Sequence, residues 1–289
     1  MTHNLSDLAA MTRALGEPAL DYAIIGEGNT SMRIDDERFY VKASGHQMRN
    51  IGEDGFVALR FAPMLAMLDA PPQTLSEQKA ITESAVIPPN SLGGTERGLP
   101  IPPDASGGTE GGLPIPPNSL GGTEGGLSPS IEVSFHAMLL TDCDVKFVGH
   151  SHPSAINQLM CSEQAADFAM KRRFPDEVVL CGPRSVLTPY ADPGLPLALL
   201  MRERVQAYME ELGEAPKVIL LENHGMIALG DTPSEILHIT AMAVKAARIH
   251  LGALLTGAPT YLPDDEIWHL YRRPDEIFRR KLFVDDDTS

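Results

Sequence analysis

Apolar side chains recur along the chain with two periods, one typical of helices and one typical of strands. Spacings of three and four residues predict helices over residues 5–15, 57–68, 131–140, 163–171 and 197–212, and from 233 to about 251. Short apolar or alternating runs predict strands at residues 22–25, 32–34, 39–41, 145–148, 178–180 and 218–221. Because strands and helices are interleaved, the pattern predicts an α/β fold.

Two of the predicted helices carry start signals. Ser130 precedes the helical run 131–140 and is its predicted N-cap. Thr232-Pro233-Ser234-Glu235 combines a capping box with a proline at the first helical position. These signals predict where the two helices begin.

The alternation is interrupted by three copies of one 14-residue unit, at residues 87–100, 101–114 and 115–128. Their 42 residues contain 11 Gly and 8 Pro, a share typical of low-complexity segments. The unit offers Ile and Leu mainly at its edges, which is too little apolar surface for a stacked solenoid. We therefore expect residues 87–128 to be a disordered insertion into a single domain formed by residues 1–86 and 129–289.

The charge of the chain limits its partners. With 39 acidic and 23 basic side chains among 289 residues, the formal net charge is −16. This balance excludes a protein that binds nucleic acid through bulk positive charge. Since 43% of the residues are hydrophobic, the chain can bury a sizeable core.

The hydropathy pattern and the N-terminus indicate where the protein is located. No apolar run approaches the roughly 18–20 residues of a membrane span, and Met1-Thr2-His3-Asn4 does not resemble the start of a signal peptide. We expect a cytoplasmic protein without a membrane partner.

Cys143, Cys161 and Cys181 show no Cys-x-x-Cys spacing, so any metal would be held by His and carboxylate.

Histidines follow two of the predicted strands. His150 and His152 come after strand 145–148, so an extended backbone would point both imidazoles to one side. His224 comes after strand 218–221, and Gly225 allows a tight turn there. Three histidines at strand ends with one open position are typical of catalytic zinc, although each motif alone is also common in ordinary loops.

Glu132 is the candidate acid/base. It lies in the first turn of the predicted helix 131–140, where the helix dipole favours a carboxylate for structural reasons as well. A catalytic role therefore depends on a fold that brings Glu132 to the metal. Two turns rich in small residues, 25–30 and 43–45, have backbone N–H groups that suit a phosphate, although simple hairpin turns are a commoner meaning of such glycines. Neither has the spacing of a nucleotide-binding loop.

Taken together, these motifs resemble the class II aldolase/adducin family, in particular its fuculose-phosphate aldolase-like members. The resemblance covers most of the chain outside the repeats. It consists of five short motifs in the family's order: Gly28-Asn29-Thr30-Ser31, Ala43-Ser44-Gly45, Pro129-Ser130-Ile131-Glu132, His150-Ser151-His152 and Asn223-His224-Gly225.

The resemblance implies roles for individual residues. His150, His152 and His224 would bind a divalent ion, usually Zn²⁺, and Glu132 would be the catalytic acid/base. The substrate phosphate would contact Gly28, Asn29, Ser44, Gly45 and Ser130.

The resemblance also implies the architecture. Members have a three-layer α/β/α fold with a central, mainly antiparallel sheet. They are typically homotetramers with four-fold symmetry whose active sites lie between subunits. We therefore expect a homo-oligomer, with a phosphorylated sugar as substrate.

The reaction implied is zinc-dependent cleavage of a ketose phosphate by retro-aldol chemistry through a metal-stabilised enediolate. A sugar-phosphate dehydratase, decarboxylase or 4-epimerase of the same family would use the same histidines. The 4-epimerases have Asp where this chain has Glu132, whereas the dehydratases keep Glu. A non-catalytic adducin-like interaction domain is the alternative from another class, but such a domain is expected to lack the three histidines.

The chain departs from the family pattern at two places near the predicted phosphate site. Ile131 stands where aldolases commonly have a second Ser, which removes one hydroxyl. His46 follows Ser44-Gly45 and adds a side chain that can carry a positive charge. The repeats also end at Ser128, directly before the motif that contains Glu132.

Overall fold

A computed structural model of the chain describes residues 3–88, 91 and 127–285. Seven strands form one central sheet in the order β3-β2-β1-β4-β7-β6-β5, and all pairs are antiparallel except the parallel β5 and β6. The strands are β1 (Asn29–Arg33), β2 (Arg38–Lys42), β3 (Phe56–Arg60), β4 (Phe147–Ser151), β5 (Val186–Thr188), β6 (Val218–Leu221) and β7 (Gly225–Gly230). The predicted central, mainly antiparallel sheet is confirmed.

Helices cover both faces of the sheet. One face carries α2 (Phe61–Asp69), α3 (Leu75–Ala85), α4 (Val133–Asp142) and α8 (Leu195–Leu212). The other carries α1 (Leu5–Leu15), α5 (Ser154–Met160), α6 (Ala165–Met170), α7 (Pro175–Cys181) and α9 (Pro233–Thr256). Two further helices, α10 (Asp264–Arg272) and α11 (Pro274–Asp285), pack against α7, and α11 also packs against α9. The fold is the expected three-layer α/β/α arrangement.

Alternation within the central strands divides the core into two layers. In β6, Val218 and Leu220 pack with α9, whereas Ile219 and Leu221 pack with α4 and α8. Both faces of such a strand are buried, which is why its sequence is continuously apolar. In β4, a Cβ on Gly149 would lie 2.5 Å from Ile236 of α9, so this glycine allows the helix to approach the sheet.

Within the described part of the chain, α9 is the one helix with the length and apolar composition of a membrane span, and 39% of its most apolar stretch is buried. It packs against α1, α5 and α7 and against the sheet. Its inward-facing residues, among them Ile236, Ile239 and Val244, belong to the core. We therefore interpret α9 as a core helix.

Three local predictions were wrong. Residues 22–25 form no strand, because Asp21 and Ile25 have left-handed backbone conformations, with φ of 60° and 53°. Residues 57–60 belong to β3 instead of a helix, since the short apolar run Val57-Ala58-Leu59 does not distinguish the two and pairing with β2 decides. Residues 178–180 are helical, because Pro175 at the start of α7 and two acidic residues in its first turn outweigh the strand preference of valine.

The ends of the repeat segment contact the sheet. The Ile87 N–H donates a 2.8 Å hydrogen bond to the Ala58 carbonyl, and the Ile87 side chain is only 5% exposed. At the other end, the Ser128 carbonyl accepts a 2.8 Å hydrogen bond from the Ser44 N–H. Residues 89, 90 and 92–126 lie outside the described residues, so the disorder expected for the insertion stays a prediction.

We predict that replacing residues 89–126 by a Gly-Ser linker of about eight residues leaves the thermal midpoint unchanged or slightly raised. The reason is that loop-closure entropy changes by only about 0.6 kcal/mol per halving of loop length. Truncation of the buried end, Ile87→Ala, should instead cost about 2–5 kcal/mol of unfolding free energy. Leu75→Ala, at a side chain that is 84% exposed, is the matched control. A linker variant that melted as early as Ile87→Ala would contradict the prediction.

Candidate active site

β4 positions the first two histidines. His150 lies within β4, opposite Asn29 of β1 and Ile227 of β7, and His152 follows the last residue of the strand. The two-residue spacing places both rings on one side, as predicted, with their Nε2 atoms 3.0 Å apart. Phe135 of α4 packs edge-on against the His150 ring at a centroid distance of 5.6 Å and buries it.

The turn between β6 and β7 supplies the third histidine. Asn223 has φ of 55°, and the His224 N–H donates to the Leu221 carbonyl at 3.2 Å, which closes the turn. A Cβ on Gly225 would lie 2.6 Å from the Ser151 carbonyl oxygen, so only glycine allows β7 to run this close to β4. As a result, the His224 ring lies 5.0 Å from that of His150 and 4.9 Å from that of His152.

The three imidazoles form a donor set that fits a divalent cation. One ring nitrogen from each lies within 4.8 Å of the others. Burial, followed by the neighbouring rings, lowers the pKa of His150 and of His152 to about 3, so both rings are neutral at physiological pH. His150 Nδ1 donates to the Met226 carbonyl at 2.9 Å, which leaves a lone pair on Nε2 facing His152. A cation between the rings would use these lone pairs.

Glu132 adjoins this cluster. It is the N-cap of α4, the position predicted for Ser130, and it precedes the first helical turn, in which Glu132 was predicted to lie. Its Oε2 lies 3.5 Å from His150 Nε2, and its Oε1 lies 3.3 Å from His224 Nε2. Oε1 is buried and accepts no hydrogen bond. A carboxylate oxygen that is held beside the histidines in this way is available to take up a proton.

Asn29 and His136 orient Glu132. The Asn29 amide Nδ2 donates to Glu132 Oε2 at 2.7 Å and to Ser130 Oγ at 3.0 Å. Since both amide hydrogens are used, the Asn29 Oδ1 is the acceptor for His136 Nε2–H, and His136 Nδ1 accepts from the Ser31 hydroxyl at 2.7 Å. His136 is fully buried, which lowers its pKa well below the usual value and keeps it neutral.

His136 was not predicted from the sequence, although a signal was present. His136 lies four residues after Glu132, one helical turn along α4, and Ser31 lies two residues after Asn29 on β1. These two spacings place each pair on one side of its element. The resulting chain of hydrogen bonds connects β1 to α4 beneath the carboxylate.

Lys42 was also missed. It is the last residue of β2, only 2% exposed, and its Nζ lies 3.4 Å from the Ala43 carbonyl oxygen. Burial lowers the pKa of Lys42 to about 8, and the negative charge of Glu132 opposes that shift. A buried ammonium group directly before Ala43-Ser44-Gly45 adds positive charge to this end of the site.

Three of the predicted phosphate-binding residues surround Glu132 and β4. The Ser130 hydroxyl accepts from the Glu132 N–H at 3.3 Å as well as from Asn29. Gly28 has φ of 68°, and a Cβ there would lie 2.7 Å from the His150 carbonyl oxygen. Gly28 therefore fixes the preceding loop against β4.

The other two, Ser44 and Gly45, form an exposed turn in which Gly45 has φ of 82°. The Ser44 N–H donates to the Ser128 carbonyl, so the hydroxyl is the remaining donor of Ser44 for a ligand. His46 lies beside Gly55 with Nδ1 buried and without a hydrogen bond. Ile131 is 67% exposed, between Ser130 and Glu132.

Solved structures share this fold at low sequence identity. L-fuculose 1-phosphate aldolase superposes with a TM-score of 0.62 at 17% identity, over 95% of each chain. The N-terminal class II aldolase domain of a conserved protein from Thermoplasma acidophilum gives 0.59 at 21% identity, over 87% of this chain and 95% of that one. YgbL from Klebsiella pneumoniae gives 0.59 at 17% identity, over 92% and 96%.

Sequence comparison identifies the family. The uncharacterized oxidoreductase YuxG of Bacillus subtilis is 28% identical over 123 residues, which are 43% of this chain and only 15% of that protein. The family model for the class II aldolase and adducin N-terminal domain matches residues 6–251, which include all five motifs and the three histidines. The chain is therefore a member of the class II aldolase and adducin family.

Proposed function

We propose that the protein is a zinc-dependent class II aldolase that cleaves a ketose phosphate by retro-aldol chemistry. The observation that carries the proposal is the cluster of three imidazoles, two of which, His150 and His224, lie within 3.5 Å of Glu132, whose Oε1 is buried without a hydrogen bond. The likeness to L-fuculose 1-phosphate aldolase supports a sugar phosphate as the substrate class.

His150, His152 and His224 would hold the cation through neutral ring nitrogens, a donor set that suits Zn²⁺ with a position left for substrate. The bound cation would supply Lewis-acid stabilisation of the negative charge that develops on the substrate oxygens. Glu132 would transfer the proton through Oε1, while Asn29 holds Oε2 in place. His136 and Ser31 would keep the Asn29 amide in the required orientation.

The phosphate end of the substrate would bind at Gly28, Asn29, Ser44, Gly45 and Ser130. Lys42 would contribute positive charge from beneath the turn. Binding energy from a phosphate remote from the reacting carbons positions the substrate. Because proton transfer is worth roughly 10²–10⁴-fold, positioning and the cation together have to supply the larger share of the rate enhancement. A cytoplasmic homotetramer remains our proposal for location and assembly.

A second group of reactions would use the same metal-binding histidines and the same acid/base, Glu132. For YgbL, aldolase, epimerase and decarboxylase activities are all proposed, so a decarboxylase, a 4-epimerase or a dehydratase is the alternative function here. Glutamate at position 132 favours an aldolase or dehydratase over a 4-epimerase. The three histidines and the oriented Glu132 argue against a purely adducin-like interaction role.

The deciding experiment is a product assay. The zinc-loaded protein is incubated with a panel of ketose 1-phosphates and pentulose 5-phosphates, and the products are separated and identified. Cleavage of a ketose 1-phosphate to dihydroxyacetone phosphate and an aldehyde, or of a pentulose 5-phosphate to dihydroxyacetone and glycolaldehyde phosphate, supports the aldolase. Epimerised, dehydrated or decarboxylated products would assign one of the alternatives.

We predict that His150→Ala, His152→Ala and His224→Ala each lose bound zinc and activity, because three ligands to one ion cannot be spared independently. Glu132→Gln should keep zinc and lose turnover by on the order of 10²-fold or more, because it removes the titratable group. Elemental analysis and turnover on the substrate from the panel are the readouts. His269→Ala, on α10, is the control histidine and should retain both.

We predict that Asn29→Ala weakens binding of a phosphorylated substrate more than binding of its unphosphorylated analogue, since the amide hydrogen that donates to Ser130 Oγ is proposed to donate to the phosphate instead when substrate binds. The same variant should also lower turnover, because Glu132 loses a 2.7 Å hydrogen bond. Calorimetry measures the first effect and kcat the second. Asn50→Ala, at an exposed asparagine, is the control. Equal loss of affinity for both ligands would argue against Asn29 as a phosphate contact.

We predict that the affinity of the site for sulfate, whose charge is constant between pH 7 and 9, falls as the pH rises through about 8. The reason is that Lys42 loses its proton there, since burial lowers its pKa from the usual 10.5. Below that pH the ammonium group is charged and attracts the anion; above it the group is neutral. Lys42→Met should bind sulfate weakly at both ends of the range, and a wild-type affinity that is flat with pH would contradict the prediction.

A further inference from the structure

A cavity of about 470 Å³ opens on the outer side of the histidine cluster. It lies between the loop that precedes β1 and helix α5, and His152 forms part of its wall. Its polar and ionisable lining also includes Asp21, Glu27, Asn157, Gln158 and Cys161. Its volume is in the range of small-molecule sites.

His152 separates this cavity from the proposed phosphate end. Its Nε2 faces His150 at 3.0 Å, whereas its Nδ1 lies 3.9 Å from Glu27 Oε1 at the cavity wall. Asn29 and Glu132 contact each other on the side of His150 and are not among the residues that line the cavity. A ligand that bound its phosphate near Asn29 and extended past His152 would reach the cavity with its other end.

The lining of the cavity suits hydroxyl groups and opposes anions. Asp21 and Glu27 are carboxylates, and no Lys or Arg is among the described lining residues. Asn157 Oδ1 is buried and accepts no hydrogen bond, which is costly unless a ligand or solvent donates to it. Carboxylate and amide oxygens accept hydrogen bonds from hydroxyls, whereas a second phosphate would meet like charge.

The loop that lines the cavity is held in an unfavourable conformation. Asp21 and the β-branched Ile25 both have positive φ, and such strain is maintained only where the surroundings fix it. Glu27 Oε2 accepts from the Ile24 N–H at 3.0 Å, and the Tyr22 carbonyl accepts from the His152 N–H at 2.8 Å. The acidic wall is thus attached directly to one of the three histidines.

We propose that this cavity binds the hydroxylated, non-phosphorylated end of the substrate and selects a neutral sugar chain over one with a second anionic group. The proposal rests on the proposed function, since it names the substrate class of the same site. Asp21, Asn157 and Gln158 supply the hydrogen-bonding groups, and Glu27 completes the acidic wall.

Cys161 reports on occupancy of the cavity. It is exposed at the cavity wall, whereas burial raises the pKa of both Cys143 and Cys181 to about 12, so iodoacetamide should alkylate Cys161 selectively. In the zinc-loaded protein, a ketohexose 1-phosphate at about ten times its Kd should slow alkylation about tenfold by mass action. Inorganic phosphate, which fills only the phosphate end, should leave the rate unchanged.

Two variants test the lining directly. Asp21→Asn keeps a residue that tolerates positive φ but removes the charge, and Asn157→Leu removes the unpartnered oxygen. Each should raise the Kd for the ketohexose 1-phosphate about tenfold and leave the Kd for inorganic phosphate unchanged. Asn157→Leu should leave the thermal midpoint unchanged, because Asn157 Oδ1 has no protein partner to lose. A lower midpoint would instead indicate a structural role for this amide. Asp36→Asn, at a fully exposed aspartate on the β1–β2 turn, is the control of equal charge.

The outcomes separate this proposal from the proposed function. Calorimetric binding of the ketohexose 1-phosphate without protection of Cys161 would overturn the assignment of the cavity while leaving the aldolase proposal intact. Equal protection by inorganic phosphate would overturn it too. If no ketose phosphate bound the zinc-loaded protein at all, the proposed function itself would be wrong, and the cavity assignment with it.

Discussion

The site depends on the register in which β4 pairs with its two neighbours. Pairing with β1 places His150 opposite Asn29, and pairing with β7 places it opposite Ile227, three residues after His224. A slip of one residue would turn His150 to the face covered by α9 and would separate it from Glu132. The register is fixed because both faces of β4 are buried, with Val148 in one core layer and Phe147 in the other.

Burial determines the charge of the groups that meet there. His136, His150 and His152 are all kept neutral, so the histidines offer lone pairs and hydrogen-bond donors without adding positive charge. These three rings therefore add no positive charge around Glu132, whereas the ammonium group of Lys42 does. The result is an ammonium group directly before the turn Ala43-Ser44-Gly45 and two carboxylates, Asp21 and Glu27, around the cavity beside His152.

The sequence predicted what local spacing determines. The bounds of α1 and β6 and the shared side of His150 and His152 follow from periodicity. The partnership of Asn29 with Glu132 and His136 could not be read in this way, because packing of α4 on β1 brings Asn29 to two residues that are more than a hundred positions away in sequence. Residues 178–180 were mistaken for a strand and residues 57–60 for a helix, because a short apolar run has no period that distinguishes the two.

The attachment of the repeat segment also has an evolutionary consequence. Ile87 is bound to Ala58 and Ser128 to Ser44, so the sheet holds both borders of the segment independently of what connects them. Near-identical tandem units are prone to replication slippage, which adds or removes whole copies and keeps the reading frame. Selection that preserves Glu132 acts on Pro129 and the residues after it and does not depend on the number of copies upstream. Gain or loss of a whole copy would therefore leave both borders and the motif that begins at Pro129 in place.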